Sequence, residues 1–313
     1  MARPFVPVLV WLKVSEHLCR MTVKAARALE MEPETLMKPG SLTVVGTGIQ
    51  FAGQITLETR AHIKQAEKVL FLVTDPITAD WIRDVNPTAE SLYPCYQQGK
   101  SRMIAYVEMI ERILSEVRKG LRVCAVFYGH PGIFVYPSHE AISRARLEGF
   151  SAKMLPGISA EDCLFADLGI DPARTGCQSF EATDFLIHKR KFDTGCSLIL
   201  WQIGCIGDLT FNLGPYDSRG FHVLTEYLCQ YYDATHPVII YEAAEYPIFD
   251  PTIERVPLAK LPEAQISPIS TLYIPPQTEA SLDYEMLDRL GIDLHLLVSA
   301  PQTIDIPAES SAL

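Results

Sequence analysis

Between residues 41 and 155, short apolar runs alternate with helical patterns, and each run closes on a turn rich in glycine or proline. No other feature constrains the fold as much. Residues 41–45 read as a buried strand ending in Gly46-Thr47-Gly48, and residues 54–67 as a helix. Residues 69–73 form a second apolar run, closed by Asp75-Pro76. Over residues 101–119, Met103, Ile104, Val107, Ile110, Ile113, Leu114 and Val117 recur at three- and four-residue spacing, the signature of an amphipathic helix, and Gly120 stops it. A strand at 121–127, a helix at 138–148 and a strand at 152–155 follow. Strand–helix alternation of this kind predicts a parallel, doubly wound sheet, with ligands outside the carboxyl ends of its strands. The turns at 46–48 and 129–132 fall at that end.

After Pro156-Gly157 the pattern changes. A helix at 160–168 leads to Asp171-Pro172, then strands at 197–201, 237–241 and 270–274, with helices at 219–232 and 281–290. The expectation is an α/β protein of two α/β domains, 41–156 and 157–290. A leader and helix (residues 22–38) would precede them over 1–40, and a tail would occupy 291–313.

Composition excludes some classes. A formal net charge of −11 argues against a nucleic-acid partner, because neutralising phosphates needs a basic surface. The eight cysteines form no C-x-x-C pair and the eight histidines no H-x-x-x-H pair, so no metal site is expected. Scattered cysteines read as reduced thiols of a cytoplasmic protein. The apolar run at residues 5–12 is too short to span a membrane, and no small-x-small cleavage site follows it closely.

Four motifs carry possible chemistry, and each also has a structural reading. Gly46-x-Gly48-x-x-x-x-Gly53 departs from dinucleotide spacing and serves equally as a tight strand-to-helix turn. Tyr128-Gly129-His130-Pro131-Gly132-Ile133-Phe134 places two glycines after a buried strand, where backbone approaches a ligand closely, with a histidine inside the turn. In Pro156-Gly157-Ile158-Ser159-Ala160, Ser159 suits a helix N-cap, and the same geometry offers a hydroxyl and helix N–H groups to a polar ligand. Finally, Tyr93, Tyr96, Lys100, Arg102 and Tyr106 cluster within fourteen residues. Arg102 and Tyr106 are four apart on one helix face. They head either a solvated helix start or a pocket of phenols around one guanidinium.

Taken together, Val44-Val45-Gly46-Thr47-Gly48, Gly129-His130-Pro131-Gly132 and Pro156-Gly157-Ile158-Ser159-Ala160 resemble the tetrapyrrole methylase family, although that family commonly has Asp where His130 stands. More narrowly, Leu92-Tyr93, Tyr96, Gly99-Lys100-Ser101-Arg102, Phe127 to Gly132, Ser159 to Leu168 and Tyr273-Ile274-Pro275-Pro276 resemble the fungal borosin precursors, which are peptide backbone α-N-methyltransferases of the omphalotin type. The resemblance spans about residues 41–290. It implies S-adenosylmethionine in a cleft between the domains, contacted by Tyr128, His130, Ile133, Phe134, Ser159, Ala160, Gln202, Ala243, Ser270 and Thr271. It implies catalytic roles for Tyr93, Arg102 and Tyr106, with Tyr96 and Tyr128 near the substrate amide, and a homodimer. No helical clasp or apolar core peptide is apparent after Leu290, so the peptide substrate is expected in trans.

A peptide nitrogen is a poor nucleophile because its lone pair is delocalised into the carbonyl. Methylation therefore needs the N–H proton removed or electron density moved to oxygen. Tyr93 or Tyr106 is expected to take the proton, with Arg102 favouring the phenolate and the developing imidate oxygen. Two other readings remain at this stage: a methylase of tetrapyrroles or other small molecules, and a non-catalytic paralogue acting by dimerisation.

Overall fold

The computed structural model describes residues 39–213 and 219–297. The expected helix at 22–38, the leader before it and the tail from 298 onward lie outside the described residues. The first sheet comprises β1 (Ser41–Gly46), β2 (Lys68–Leu72), β3 (Glu90–Ser91), β4 (Arg122–Phe127) and β5 (Ser151–Met154). All neighbours are parallel, in the order β3-β2-β4-β1-β5.

Side chains alternate across a strand, so a sheet covered on both faces builds two cores. Val44 of β1, Leu70 of β2 and Val123, Ala125 and Phe127 of β4 face one core. Val45, Val69, Phe71, Cys124 and Val126 face the other. Helices α3 (Arg102–Arg118) and α4 (Tyr136–Leu147) cover the first face, and α1 (Leu57–Gln65) and α2 (Pro76–Val85) the second. Asp75 caps α2, its Oδ1 accepting from the Thr78 N–H at 2.7 Å, with Pro76 at the first helical position.

The long helix falls where the spacing predicts it, but three of its apolar residues are not core. Ala105, Met109, Ile110, Ile113, Leu114 and Val117 face the sheet, whereas Met103, Ile104 and Val107 are 51%, 55% and 39% exposed. They form a second apolar strip beside the core face. Three- and four-residue spacing is shared by both strips, so the sequence pattern merged them.

The second sheet is mixed. It comprises β6 (Cys177–Glu181), β7 (Ser197–Trp201), β8 (Pro237–Glu242), β9 (Thr252–Pro257) and β10 (Thr271–Ile274), in the order β6-β7-β10-β8-β9. Only β6 and β7 are parallel neighbours; β10 runs antiparallel between β7 and β8. Helix α5 (Ala160–Leu168) packs on one face against Ile199, Trp201, Ile239, Tyr241 and Tyr273. Helices α6 (Ala182–Ile187) and α7 (Arg219–Leu228) pack on the other. The edge strands β6 and β9 went unpredicted because their side chains are only partly buried and make no apolar run. Helix α7 ends at Leu228, short of the expected 232, and α8 (Tyr284–Leu290) begins three residues later than expected and buries no residue.

Candidate functional site

The two glycine turns form one unit. Gly48 and Gly129 exchange backbone hydrogen bonds, Gly129 N to Gly48 O at 2.8 Å and Gly48 N to Gly129 O at 3.3 Å. A Cβ on Gly46 would stand 2.0 Å from the Gly129 oxygen, and one on Gly157 would stand 3.1 Å from it. All three motifs therefore meet at the ends of β1, β4 and β5, as closely as backbones can pack. Gln54 braces this corner: its Oε1 accepts the N–H groups of Ile49 and Gln50 at 2.8 and 2.9 Å.

Beside this unit, between the two sheets, lies a cavity of about 180 Å³. Of the residues expected at the cofactor, Tyr128, His130, Ile133, Phe134, Ser159, Ala160, Gln202, Ala243 and Thr271 line it. Gln202 follows β7, Ala243 follows β8, and Thr271 opens the antiparallel β10, so all three lie at the same end of the second sheet. Ser270 does not line the cavity. It is fully buried behind the wall, its Oγ bonded to Glu242 and accepting the Ser267 N–H at 2.8 Å.

His130 turns its ring back on its own loop, Nδ1 accepting the Gly132 N–H at 3.0 Å. A carboxylate oxygen could accept the same bond. Ser159 acts first as a cap. In a capping box with Asp162, its Oγ accepts the Asp162 N–H at 3.1 Å, and its own N–H and O–H donate to Asp162 Oδ2 at 2.7 and 2.6 Å. The hydroxyl that the motif offered to a ligand is thereby engaged within the helix start.

Phe134 and Gln202 adopt positive φ, 54° and 59°, and both line the cavity. Left-handed backbone at a bulky non-glycine residue is strained, and such strain gathers at ligand clamps. The Phe134 ring lies 5.9 Å from that of Trp201, one from each half of the chain.

Among the described residues, the charges in the cavity wall are Asp75, Glu161, Glu181 and Glu245, and no lysine or arginine lines it. Burial, with Asp162 nearby, pushes the Glu161 carboxyl above the usual carboxylate range, opposed by a hydrogen bond from Ser179. Ser179 Oγ in turn accepts from Trp201 Nε1 at 2.7 Å. No site role for Glu161, Glu181 or Glu245 was anticipated from sequence: Glu161 reads as an ordinary acid in a helix first turn, and Glu181 and Glu245 as isolated acids after strands.

The phenol cluster adjoins this cavity. Tyr93 and Tyr96 pack edge to face at 6.0 Å, as do Tyr96 and Tyr106 at 6.4 Å, and Tyr106 meets Tyr136 at 6.3 Å. Burial, then the neighbouring Tyr106 and Tyr128, raises the Tyr96 phenol well above its ordinary range, with Arg102 opposing. The Tyr128 phenol is raised too, by burial first and then by Tyr106 and Glu245. Tyr128 thus belongs to both groups. A strap after β7 completes the cluster: Phe211 stacks on Tyr96 at 4.5 Å, and Thr210 O accepts from Arg102 Nε at 2.9 Å. Phe211 and Thr210 were missed from sequence, since they lie far along the chain from the tyrosines.

Two sheets of this composition, with glycine turns framing a cavity between them, define the fold of class III methyltransferases. Solved structures agree. The uroporphyrin-III C-methyltransferase of Thermus thermophilus superposes with a TM-score of 0.54 at 17% identity, covering 76% of this chain and 93% of that one. A cobalt precorrin-4 methyltransferase gives 0.54 at 18% identity, covering 75% and 94%. The tetrapyrrole (corrin/porphyrin) methylase model matches residues 41–262, and the chain belongs to that family. Nearer relatives are cyclic peptide precursors. The methyltransferase/omphalotin A precursor of Omphalotus olearius is 47% identical over 266 residues, which is 84% of this chain and 64% of that protein. The dendrothelin A precursor of Dendrothele bispora is 47% identical over 261 residues, 82% and 63%. The type I borosin precursor of Serendipita vermifera is 43% identical over 270 residues, 84% and 65%. The match spans less than two thirds of these relatives' length.

Proposed function

We propose that this protein is an S-adenosylmethionine-dependent methyltransferase of backbone amide nitrogens in a peptide, working as a borosin-type enzyme. The observation that carries the reading is the junction at Tyr128, where the cavity meets the Tyr93/Tyr96/Arg102/Tyr106 cluster. Its relatives are named as methyltransferases fused to cyclic peptide precursors.

The residues present fit the cofactor. A cavity whose described lining carries four carboxylates and no lysine or arginine favours a cationic ligand, and Ile133, Phe134 and Ala243 offer apolar surface to a flat ring. Tyr128, His130, Ile133, Phe134, Ser159, Ala160, Gln202, Ala243 and Thr271 would hold it, with Ser270 fixing the wall behind. When bound, S-adenosylmethionine supplies an electrophilic methyl group on a positively charged sulfur.

The chain's own groups then act on the amide. Arg102 donates to the acceptor carbonyl and stabilises negative charge that develops there. Tyr96 keeps its proton and presents it towards Tyr106, which first releases its own phenolic proton to solvent and then, as phenolate, takes the amide proton; Tyr93 walls the outer side. Phe211 and Tyr96 keep water from the reacting atoms. Positioning in this slot supplies much of the rate.

Residues 41–156 and 157–290 serve as the two domains, with the donor between them. The strip Met103/Ile104/Val107 and the exposed Tyr284 and Leu290 of α8 support a homodimer that covers them. A cytoplasmic setting is part of this proposal; the seven described cysteines form no disulfide with one another. Among the described residues no helix is long and apolar enough to cross a membrane.

The test is the intact mass of the protein and of apolar peptides after incubation with S-adenosylmethionine. Methyl increments on a peptide support the reading. Methylation of a tetrapyrrole and not of any peptide would replace it.

A further inference from the structure

A strap that follows β7, residues 207–213, crosses from the second sheet onto the mouth of the phenol cluster. It lies antiparallel to the segment leading into α3. Gly99 N donates to Phe211 O at 2.8 Å, Phe211 N to Lys100 O at 2.8 Å, and Arg102 N to Leu209 O at 3.0 Å. Gln98 holds its far end, Oε1 accepting the Leu213 N–H at 2.9 Å. These contacts fix where the strap sits. The conformation of its centre is set by one side chain.

Asp208 Oδ1 accepts both the backbone N–H and the hydroxyl of Thr210, at 2.7 and 2.6 Å. Its Oδ2 accepts from Asn212 Nδ2 at 3.1 Å. An aspartate that ties the backbone two residues on makes a tight Asx-type turn. That turn aims the Thr210 carbonyl at Arg102 Nε, 2.9 Å away. Among the described residues, Thr210 is the guanidinium's only side-chain hydrogen-bond partner. Because a guanidinium is planar, a bond at Nε fixes the plane in which its terminal N–H groups point.

We infer that Asp208 is a positioning residue for Arg102, acting through the Thr210 carbonyl to hold the guanidinium plane in the orientation that meets the acceptor amide. The inference rests on the peptide-methylation reading for its functional consequence, but the orientation itself is a property of this chain. Asp208 reaches Arg102 chiefly through this geometry; the guanidinium's charge also acts on the carboxylate, as the smallest of the influences on it. The hydrogen bonds from Thr210 and Asn212 keep the Asp208 carboxyl below the usual carboxylate range, so the turn stays formed at neutral pH.

The two roles an aspartate can play here are separable by substitution. Asp208→Asn keeps an oxygen for Thr210 and loses the charge. Asp208→Glu keeps the charge and moves the carboxylate by one methylene. Positioning therefore predicts that Asn is tolerated and Glu is not, while a direct charge effect predicts the reverse.

Two measurements on the full chain test this. The first is the NMR signal of the Arg102 Nε–H group, identified by its disappearance in Arg102→Lys. Its exchange with water should be slow in wild type and in Asp208→Asn, and fast in Asp208→Glu. The second is methyl transfer from S-adenosylmethionine to a synthetic apolar peptide. In Asp208→Glu, kcat should fall by about ten- to a hundredfold, with donor Kd and peptide KM little changed. In Asp208→Asn, kcat should stay near wild type. Equal exchange in wild type and Asp208→Glu would overturn the inference, as would an Asn variant slower than the Glu variant. Slow exchange in wild type and Asn with fast exchange in Glu, but no peptide methylation by wild type, would uphold the orientation while sinking the function on which it bears.

Discussion

Gly46 approaches Gly129 so closely that the missing Cβ defines the site: a methyl group on Gly46 would stand 2.0 Å from the Gly129 oxygen and 2.8 Å from Pro131 Cδ. Both obstacles belong to the loop that forms the cavity wall, and neither is the end of a flexible side chain. Gly46→Ala should destabilise the chain by about 2–3 kcal/mol through overpacking and weaken donor binding in step. Gly53→Ala is the control, because its nearest neighbour is the movable Gln50 amide and its φ is unexceptional. Urea unfolding of the two variants side by side decides the point; equal stability would show that the approach is looser than described.

His130 holds its loop with a single ring nitrogen. His130→Asn retains an acceptor for the Gly132 N–H and should bind S-adenosylmethionine nearly as wild type does. His130→Ala leaves that N–H without its partner, at a cost of about 1 kcal/mol, and donor affinity should drop several-fold. Calorimetric titration of both variants distinguishes loop-holding from direct ligand contact, for which Asn and Ala would fail alike.

The site was legible in parts. Three turns and one tyrosine-rich helix start were visible because glycine, proline and capping residues are local devices with local signatures. That Gly48 pairs with Gly129, or that Phe211 stacks on Tyr96, depends on contacts across more than eighty residues of chain, for which spacing gives no signal. The same distinction runs through the fold. The first sheet was readable because β2 and β4 are buried on both faces and show as apolar runs. In the second, β6 and β9 lie on edges, where half-burial erases the run.

Glu161 links stability to pH in a definite direction. Its folded pKa is raised above the ordinary value, chiefly by burial. The folded state therefore binds more protons than the unfolded state between those two values, and stability falls as pH rises through that window. Glu161→Gln should raise the melting temperature at pH 7 and flatten this dependence, while weakening binding of the cationic donor. Thermal melts from pH 4 to 8, with and without S-adenosylmethionine, test both halves. A variant that is less stable and binds equally well would contradict the assignment of Glu161 to the cavity.

The strip on α3 makes a claim about assembly. Ile104 is 55% exposed and touches none of the core clusters, so Ile104→Glu should leave the unfolding free energy within about 0.5 kcal/mol of wild type. In the proposed homodimer it should shift the protein towards monomer. Sedimentation at several concentrations reads the change; an unaltered distribution would move the interface elsewhere.

The most direct test of the account is the mass of an apolar peptide after incubation with S-adenosylmethionine and either wild type, Arg102→Ala or Tyr106→Phe, with donor affinity measured in parallel. The account predicts methyl increments with wild type alone, on a backbone nitrogen, and closely similar donor affinity in all three proteins. Undiminished methylation by Arg102→Ala or Tyr106→Phe would contradict it, as would a wild-type protein that binds the donor and methylates no peptide.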